Sequence, residues 1–69
     1  MMTERMVVMA NQIAANVPDR AHASQQTAAH LTSFWAPSMI AALRAYAYEH
    51  QDELSAEVHE ALAIMEGRA

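Results

Sequence analysis

Two prolines, at positions 18 and 37, divide a chain whose other residues favour helix. Sixteen of the 69 residues are alanine, the strongest helix former, whereas glycine occurs once, at position 67. Valine, isoleucine and threonine are few, and no segment alternates apolar and polar residues for long, so a sheet is not expected. The sequence predicts an all-α fold, a single small domain of three to four short helices over residues 1–69.

Helix start and stop signals lie on both sides of the two prolines. Thr3 can cap the first helix, and Pro18 ends it, because a residue before proline is pushed out of helical conformations. Asp19 can cap the second helix, and Pro37 both closes it and suits the first turn of the third. Ser55 can cap the last helix, which the glycine stops. The predicted helices cover residues of about 4–16, 20–35, 37–50 and 56–66.

The residue types that are missing exclude several kinds of site. One glycine cannot form a nucleotide-binding loop, and without lysine there is no P-loop cation or Schiff-base nucleophile. Without cysteine there is no disulfide, iron–sulfur cluster or cysteine-type zinc site. The longest apolar runs have five residues, whereas a membrane span needs about 20. The N-terminus has no apolar segment of the secretory type, so we expect a cytoplasmic protein that binds no membrane.

Charge is concentrated in the second half of the chain. Residues 1–44 carry two acidic residues and three arginines, whereas residues 45–69 carry six acidic residues and one arginine. Nucleic acids are bound by clustered lysine and arginine, so scattered arginines on an acidic chain argue against nucleic acid and against anionic membranes. We interpret the acidic half as a solvated face; the alternative is that it complements a basic patch on a partner.

The histidines and serines form no recognisable catalytic or metal-binding pattern. His22 and His30 are eight residues apart, too far along a helix to share one ion, and no His-x-x-x-His or His-Glu-x-x-His motif occurs. No serine is accompanied by both a base and a group that would orient that base. We therefore predict no catalytic, cofactor-binding or metal site in this chain.

Five residues are predicted to contact a partner. Phe34 and Trp35 are adjacent, so on a helix they point about 100° apart and only one of them can face a small core fully. The other is available for an interface, where tryptophan is a favoured anchor, and Trp35 is the predicted anchor. Met39 can pack in the core or belong to an adaptable binding face. Asn11 and Gln12 lie between apolar residues and either face solvent or hydrogen-bond a partner's backbone.

The small size of the chain also predicts dependence on a partner. Domains of this length bury only about 60% of their unfolded surface, and one core of this kind rarely supplies more than about 3–5 kcal/mol. Many of the apolar positions here are alanine, which contributes little burial, and the chain lacks a disulfide. We infer that stability is supplied by a copy of the chain itself or by a larger protein.

Two sequence blocks carry a resemblance to a known family. The blocks are residues 9–14 (MANQIA) and residues 34–39 (FWAPSM), with His30 before the second block and Leu43 after it. Together they resemble the small delta subunit of the soluble, NAD-dependent, molybdenum-containing formate dehydrogenases. The resemblance extends over most of the chain, from about residue 6 to residue 62.

The resemblance implies a non-catalytic accessory subunit that supports assembly or stability of a formate dehydrogenase complex by binding its large molybdenum-containing subunit. No cofactor is expected in this chain, because the other subunits of that family carry the molybdenum cofactor, the iron–sulfur clusters, FMN and NAD. Ala36 and Ser38 replace an aspartate and an arginine that are usual in the family, so a charged contact at the helix junction is expected to be missing. The expected contact residues are Asn11, Gln12, Phe34, Trp35 and Met39.

A function of another class is also compatible with the residues alone. It is a stand-alone, homo-oligomeric helical regulator or antitoxin-like interaction module. A stable homodimer encoded away from formate dehydrogenase genes would favour it. Under either interpretation, pairing of the isolated chain with a copy of itself through its methionine face stays open.

Overall fold

Four α-helices joined by short connections make up the fold of residues 2–67. The computed structural model describes residues 2–67. Among these residues there is no strand, so the predicted all-α fold is confirmed. The helices are α1 (Met2–Ala15), α2 (Ala23–Phe34), α3 (Pro37–Glu49) and α4 (Ala56–Met65), and short 3-10 turns cover Arg20–His22 and Gln51–Glu53.

The first two helices differ from their predicted boundaries. The helix α1 begins at Met2, so Thr3 lies within it and does not cap its start. The segment after Asp19 begins as a 3-10 turn, and α2 starts only at residue 23. At the break between the two, His22 has a φ of −120° and a ψ of 23°, which depart from α-helical values. The Asp19 carboxylate meets the same residue, with Oδ2 at 2.8 Å from Nδ1 of His22.

Arg20, at the start of the first 3-10 turn, ties three parts of the chain together. Its Nη1 donates hydrogen bonds to the main-chain oxygens of Ala14, at 2.7 Å, and Val17, at 2.9 Å. These carbonyls lie at and just beyond the end of α1, where the helix offers them no N–H partner. Its Nη2 also lies 3.7 Å from Oε2 of Glu57 on α4. One side chain therefore holds the end of α1, the following connection and α4.

The later boundaries follow the sequence signals. Residues 35 and 36 are extended, and Pro37 occupies the first turn of α3, where its missing N–H costs no hydrogen bond. The Ser55 hydroxyl caps α4 by accepting the N–H of Val58 at 3.4 Å. Gly67 follows α4 with a φ of 77°, a left-handed conformation that glycine adopts without strain.

All four helices contribute to one core. The helix α2 packs most extensively on α4, and α1 contacts each of the other three helices. Small buried residues, Ala23 and Thr27 on α2 and Ala61 on α4, are compatible with a close approach of those two helices. The residues of the core cluster are Met6, Val7, Ala10, Ala14, Leu31, Trp35, Leu43, Ala47, Leu54, Val58 and Leu62.

Candidate partner-binding surface

Asn11, on α1, makes two hydrogen bonds inside the chain. Its Nδ2 donates to the main-chain oxygen of Glu53 at 2.9 Å, and its Oδ1 accepts the main-chain N–H of Ser55 at 3.0 Å. These two groups flank Leu54, which is buried in the core. The amide therefore fixes the connection between α3 and α4, which accounts for an asparagine in the middle of a helix. Its contact with a partner stays a prediction.

Gln12, the next residue on α1, faces solvent. Val8, one helical turn earlier, is also exposed, at 54% of its surface. Residues four apart lie side by side on a helix, so these two side chains form an uncharged outer ridge of α1. Gln12 is thus accessible to a partner, as the predicted contact requires, although no contact is visible in a single chain.

The adjacent aromatic residues are divided between the core and solvent at the point where α2 ends and the backbone becomes extended. Trp35 is 8% exposed and belongs to the core cluster, whereas Phe34 is 76% exposed. The Phe34 ring packs on the imidazole of His30, one turn earlier, with ring centroids 4.8 Å apart. Phe34 is therefore the aromatic residue of this pair that is open to a partner. The role of Trp35 as an anchor stays a prediction for a side chain that this structure buries.

Met39 lies in the first turns of α3, half-buried against the core. With Phe34 and Trp35 it belongs to the junction between α2 and α3. Asn11, in contrast, is bonded to the connection between α3 and α4. The five predicted contact residues are therefore distributed over two regions of the molecule, and only those at the α2–α3 junction lie close together in the chain.

A shallow groove of about 370 Å³ lies between the outer face of α2 and the end of α1 with the connection that follows it. None of its lining residues is an aspartate, glutamate, lysine or arginine. Its one titratable side chain is His30, whose imidazole packs against the exposed Phe34 ring. The lining residues are Ile13, Asn16, Val17, Pro18, Gln26 and His30.

The surface of the groove continues along both helices through residues one helical turn further on. The helices α1 and α2 are joined by the connection of residues 16–22, contact each other, and both contribute to the lining of this groove. One turn beyond the groove, away from that connection, α1 presents Met9, 39% exposed, and α2 presents Phe34. Met9 and Ile13 on α1, and Gln26, His30 and Phe34 on α2, are four residues apart, so each set shares one face of its helix. Val17 continues the first set into the connection that follows α1. We name this face the α1–α2 strip: Met9, Ile13, Val17, Gln26, His30 and Phe34.

The sequence analysis did not single out the α1–α2 strip as a surface, although the sequence contains a signal for it. No aspartate, glutamate, lysine or arginine occurs between residues 6 and 18, or between residues 21 and 43. Helices on the surface of a protein normally carry charge on their solvated side. The absence of charge from α1 after residue 5 and from all of α2 is therefore typical of a surface that is covered.

Charged side chains gather on the other helices and pair within the chain. Arg44 on α3 meets Glu66, with Nε and Oε2 2.5 Å apart. On α4, Glu57 pairs with Arg20, and Glu60 accepts a hydrogen bond from the Ser24 hydroxyl. These contacts connect α4 with its neighbours, so its carboxylates are engaged in holding the fold.

Tyr46, on α3, lies within the acidic region. Its hydroxyl donates to Oε1 of Glu53 at 2.7 Å, and its ring stacks on His50 with centroids 4.3 Å apart. The hydrogen bond to Glu53 raises the pKa of Tyr46 to about 12, assisted by the negative charges of Glu53, Glu4 and Asp52. The side chain thus fastens the end of α3 to the connection that follows it.

The histidines have contacts inside the chain. Within the part of the chain that the structure describes, no three histidine or acidic side chains are grouped so that they could hold a metal ion. No helix among residues 2–67 is long and apolar enough to cross a lipid bilayer. The contacts are His22 with Asp19, His30 with Phe34, His50 with Glu53, and His59 with the main-chain oxygen of Gln51.

The fold and its surface define a small all-α protein with an uncharged strip on two helices and an acidic region on the other two. The chain belongs to the NADH-dependent formate dehydrogenase delta subunit family, FdsD, whose sequence model matches residues 5–62. This match confirms the resemblance carried by the two sequence blocks. Neither a curated protein nor a solved structure matches the chain.

Proposed function

We propose that this chain is a non-catalytic accessory subunit of a formate dehydrogenase. In this proposal it binds the large molybdenum-containing subunit in the cytoplasm and supports assembly or stability of the complex. Membership of the delta subunit family supports the assignment to the complex. The observation that carries the binding role is Phe34, an aromatic side chain left 76% exposed beside an uncharged groove.

Burial of the exposed Phe34 ring by a partner would be energetically favourable. Aromatic side chains dominate the energetics of protein interfaces, and an exposed phenylalanine gains about 1.5–3 kcal/mol when it is fully buried. Within residues 2–67 that gain is available only in part, because the ring contacts His30 and remains mostly in solvent. Association with a larger protein would supply the rest.

The chain's own donor groups agree with a role without catalysis. No cysteine occurs in the sequence, so there is no thiolate to ligate an iron–sulfur cluster. The side chains of the histidines are engaged with neighbours of their own chain. In the proposed complex the molybdenum cofactor, the iron–sulfur clusters, FMN and NAD belong to the other subunits, as the resemblance to the delta subunit family implies.

Co-purification from the native host tests the proposal. An affinity-tagged copy of this chain is expected to recover the large subunit of a formate dehydrogenase, identified by mass spectrometry. Deletion of the gene is expected to lower the amount of assembled enzyme, measured as formate-dependent NADH production per cell protein. Restoring the untagged chain provides the control. A deletion strain with full activity, together with a tagged chain that recovers no formate dehydrogenase subunit, would contradict the proposal.

A further inference from the structure

We propose that the α1–α2 strip is the docking surface of this chain, and that its occupant is a helix of the large subunit with an uncharged, apolar face. This inference rests on the proposed function and specifies its surface and the chemistry of the partner segment. It is supported by three properties of the strip: its composition, its shape and its lack of charge.

The composition of the strip is typical of the buried centre of an interface. Charged residues are depleted at such centres, whereas aromatic residues and methionine are enriched. The strip has no formal charge, and at its end Phe34 and Met9 are exposed. The helix α2 is uncharged along its whole length, Ala23–Phe34, although its outer side faces solvent in the single chain.

The shape of the strip fits one helix. Its α2 side runs from residue 26 to residue 34 within one helix, which corresponds to about 12 Å along the helix axis, or two turns. An apolar groove accepts an amphipathic helix through side chains at positions i, i+3 or i+4, and i+7 of that helix. The apolar side chains Ile13 and Val17 line one wall, and Gln26 and His30 line the other.

The charge of the strip restricts the partner segment. A charged side chain pressed onto this surface would lose water and find no opposite charge among the strip residues, which is unfavourable. The matching face is therefore aliphatic or aromatic near Phe34, with small polar groups opposite the amide of Gln26. The acidic residues of the chain lie at positions 4, 19 and from 49 onwards, outside the strip.

A second copy of the chain fits the strip less well than a larger protein. Permanent dimers bury about 1,000 Å² or more of each chain. That is more than a fifth of the 4458 Å² of surface that this chain presents. A strip two helical turns long supplies only part of such an area, whereas it accommodates one helix of a large partner.

The two exposed aromatic residues of the chain provide a matched pair of variants. Phe34 is 76% exposed at the end of the strip, and Tyr48 is 82% exposed on α3, outside it. Phe34→Glu and Tyr48→Glu each place one carboxylate at a solvated position, so the circular dichroism spectrum and melting temperature of both variants should match those of the original chain. Phe34→Ala serves as a second variant that adds no charge.

The variants are tested by co-expression of the tagged chain with the large subunit and by quantifying the large subunit recovered. We expect Phe34→Glu to reduce recovery at least tenfold, Phe34→Ala to reduce it less, and Tyr48→Glu to leave it unchanged; roughly tenfold is the loss for a residue at the centre of an interface. Full recovery with Phe34→Glu, or loss with Tyr48→Glu alone, would overturn the inference and leave the proposed function intact.

Two further outcomes separate the inference from its alternatives. If the original chain recovers no large subunit, the proposed function is contradicted. The inference about the strip, which rests on that function, is then contradicted as well. If the isolated chain sediments as a dimer that Phe34→Glu converts to a monomer, while both forms recover the large subunit equally, the strip pairs two copies. That result also overturns the inference.

Discussion

The α1–α2 strip and the connection between α3 and α4 differ in how their polar and aromatic groups are satisfied. Around the connection, Asn11, Tyr46 and Ser55 hydrogen-bond to groups of the same chain. On the strip, Phe34 has one ring neighbour and remains mostly exposed. The connection is thus complete within one chain, whereas the strip leaves surface that burial would stabilise. The predictions that follow test this difference, beginning with the largest expected effect.

The adjacent residues Trp35 and Phe34 should differ most in their contribution to stability. Trp35→Ala removes a large side chain from the core and should lower the free energy of unfolding by about 3–5 kcal/mol. Phe34→Ala changes an exposed side chain and should alter it by no more than about 0.5 kcal/mol. Urea unfolding followed by circular dichroism measures both. Equal losses would show that Phe34 is held by its own chain, and would remove the argument for the strip.

Asn11 and Gln12 form a second adjacent pair. Asn11→Ala leaves the main-chain oxygen of Glu53 and the N–H of Ser55 without their partner, and should cost about 1–2 kcal/mol. Gln12→Ala should be nearly neutral, because that side chain faces solvent. Urea unfolding followed by circular dichroism measures the loss of stability in each variant. A neutral Asn11→Ala would mean that the connection does not depend on α1.

Replacing a serine at the connection and a serine on α2 should give a smaller difference in stability. Ser55→Ala removes the hydroxyl that caps α4, and should cost about 0.5–1 kcal/mol, since the hydrogen bond to Val58 is long at 3.4 Å. Ser55→Asp should retain the cap. Ser33→Ala, at an exposed position of α2, is the matched control and should have no measurable effect. Melting temperatures of the three variants test this ordering.

Tyr46 makes the connection sensitive to high pH. Its pKa is raised from 10 to about 12 in the folded chain, so folding favours the neutral hydroxyl. Stability from this hydrogen bond is therefore complete below pH 10 and is lost as the pH rises from 10 towards 12. Absorbance titration of the Tyr48→Phe variant, in which Tyr46 is the remaining tyrosine, should give an apparent pKa near 12. A midpoint near 10 would mean that the Tyr46–Glu53 bond does not persist in solution.

Local signals in the sequence were sufficient for most of the fold. Proline geometry and serine capping are local effects, so the junction at Pro37 and the start of α4 after Ser55 agree with the structure. The start of α2 does not, because the backbone of His22 interrupts the helix and Arg20 folds back onto α1. The contact of Arg20 with Glu57 on α4 joins residues that only the folded chain brings together.

The candidate site was predictable only in part, for the same reason. The 100° step between Phe34 and Trp35 predicts that one of them is exposed, but which one depends on how α2 packs on its neighbours. The hydrogen bonds of Asn11 reach residues more than 40 positions away, so their partners could not be read from the sequence around it. The strip depends on the packing of α1 and its following connection beside α2, which local sequence signals do not predict.

The central claim is that the complex covers the strip and leaves the exposed aromatic residue of α3 uncovered. Photo-crosslinking measures this directly: benzoylphenylalanine replaces Phe34 in one sample and Tyr48 in another, each co-expressed with the large subunit. We predict a crosslink from position 34, mapped by mass spectrometry to a helical segment of the large subunit with an uncharged face, and none from position 48. A crosslink from position 48 without one from position 34, in an intact complex, would contradict the account.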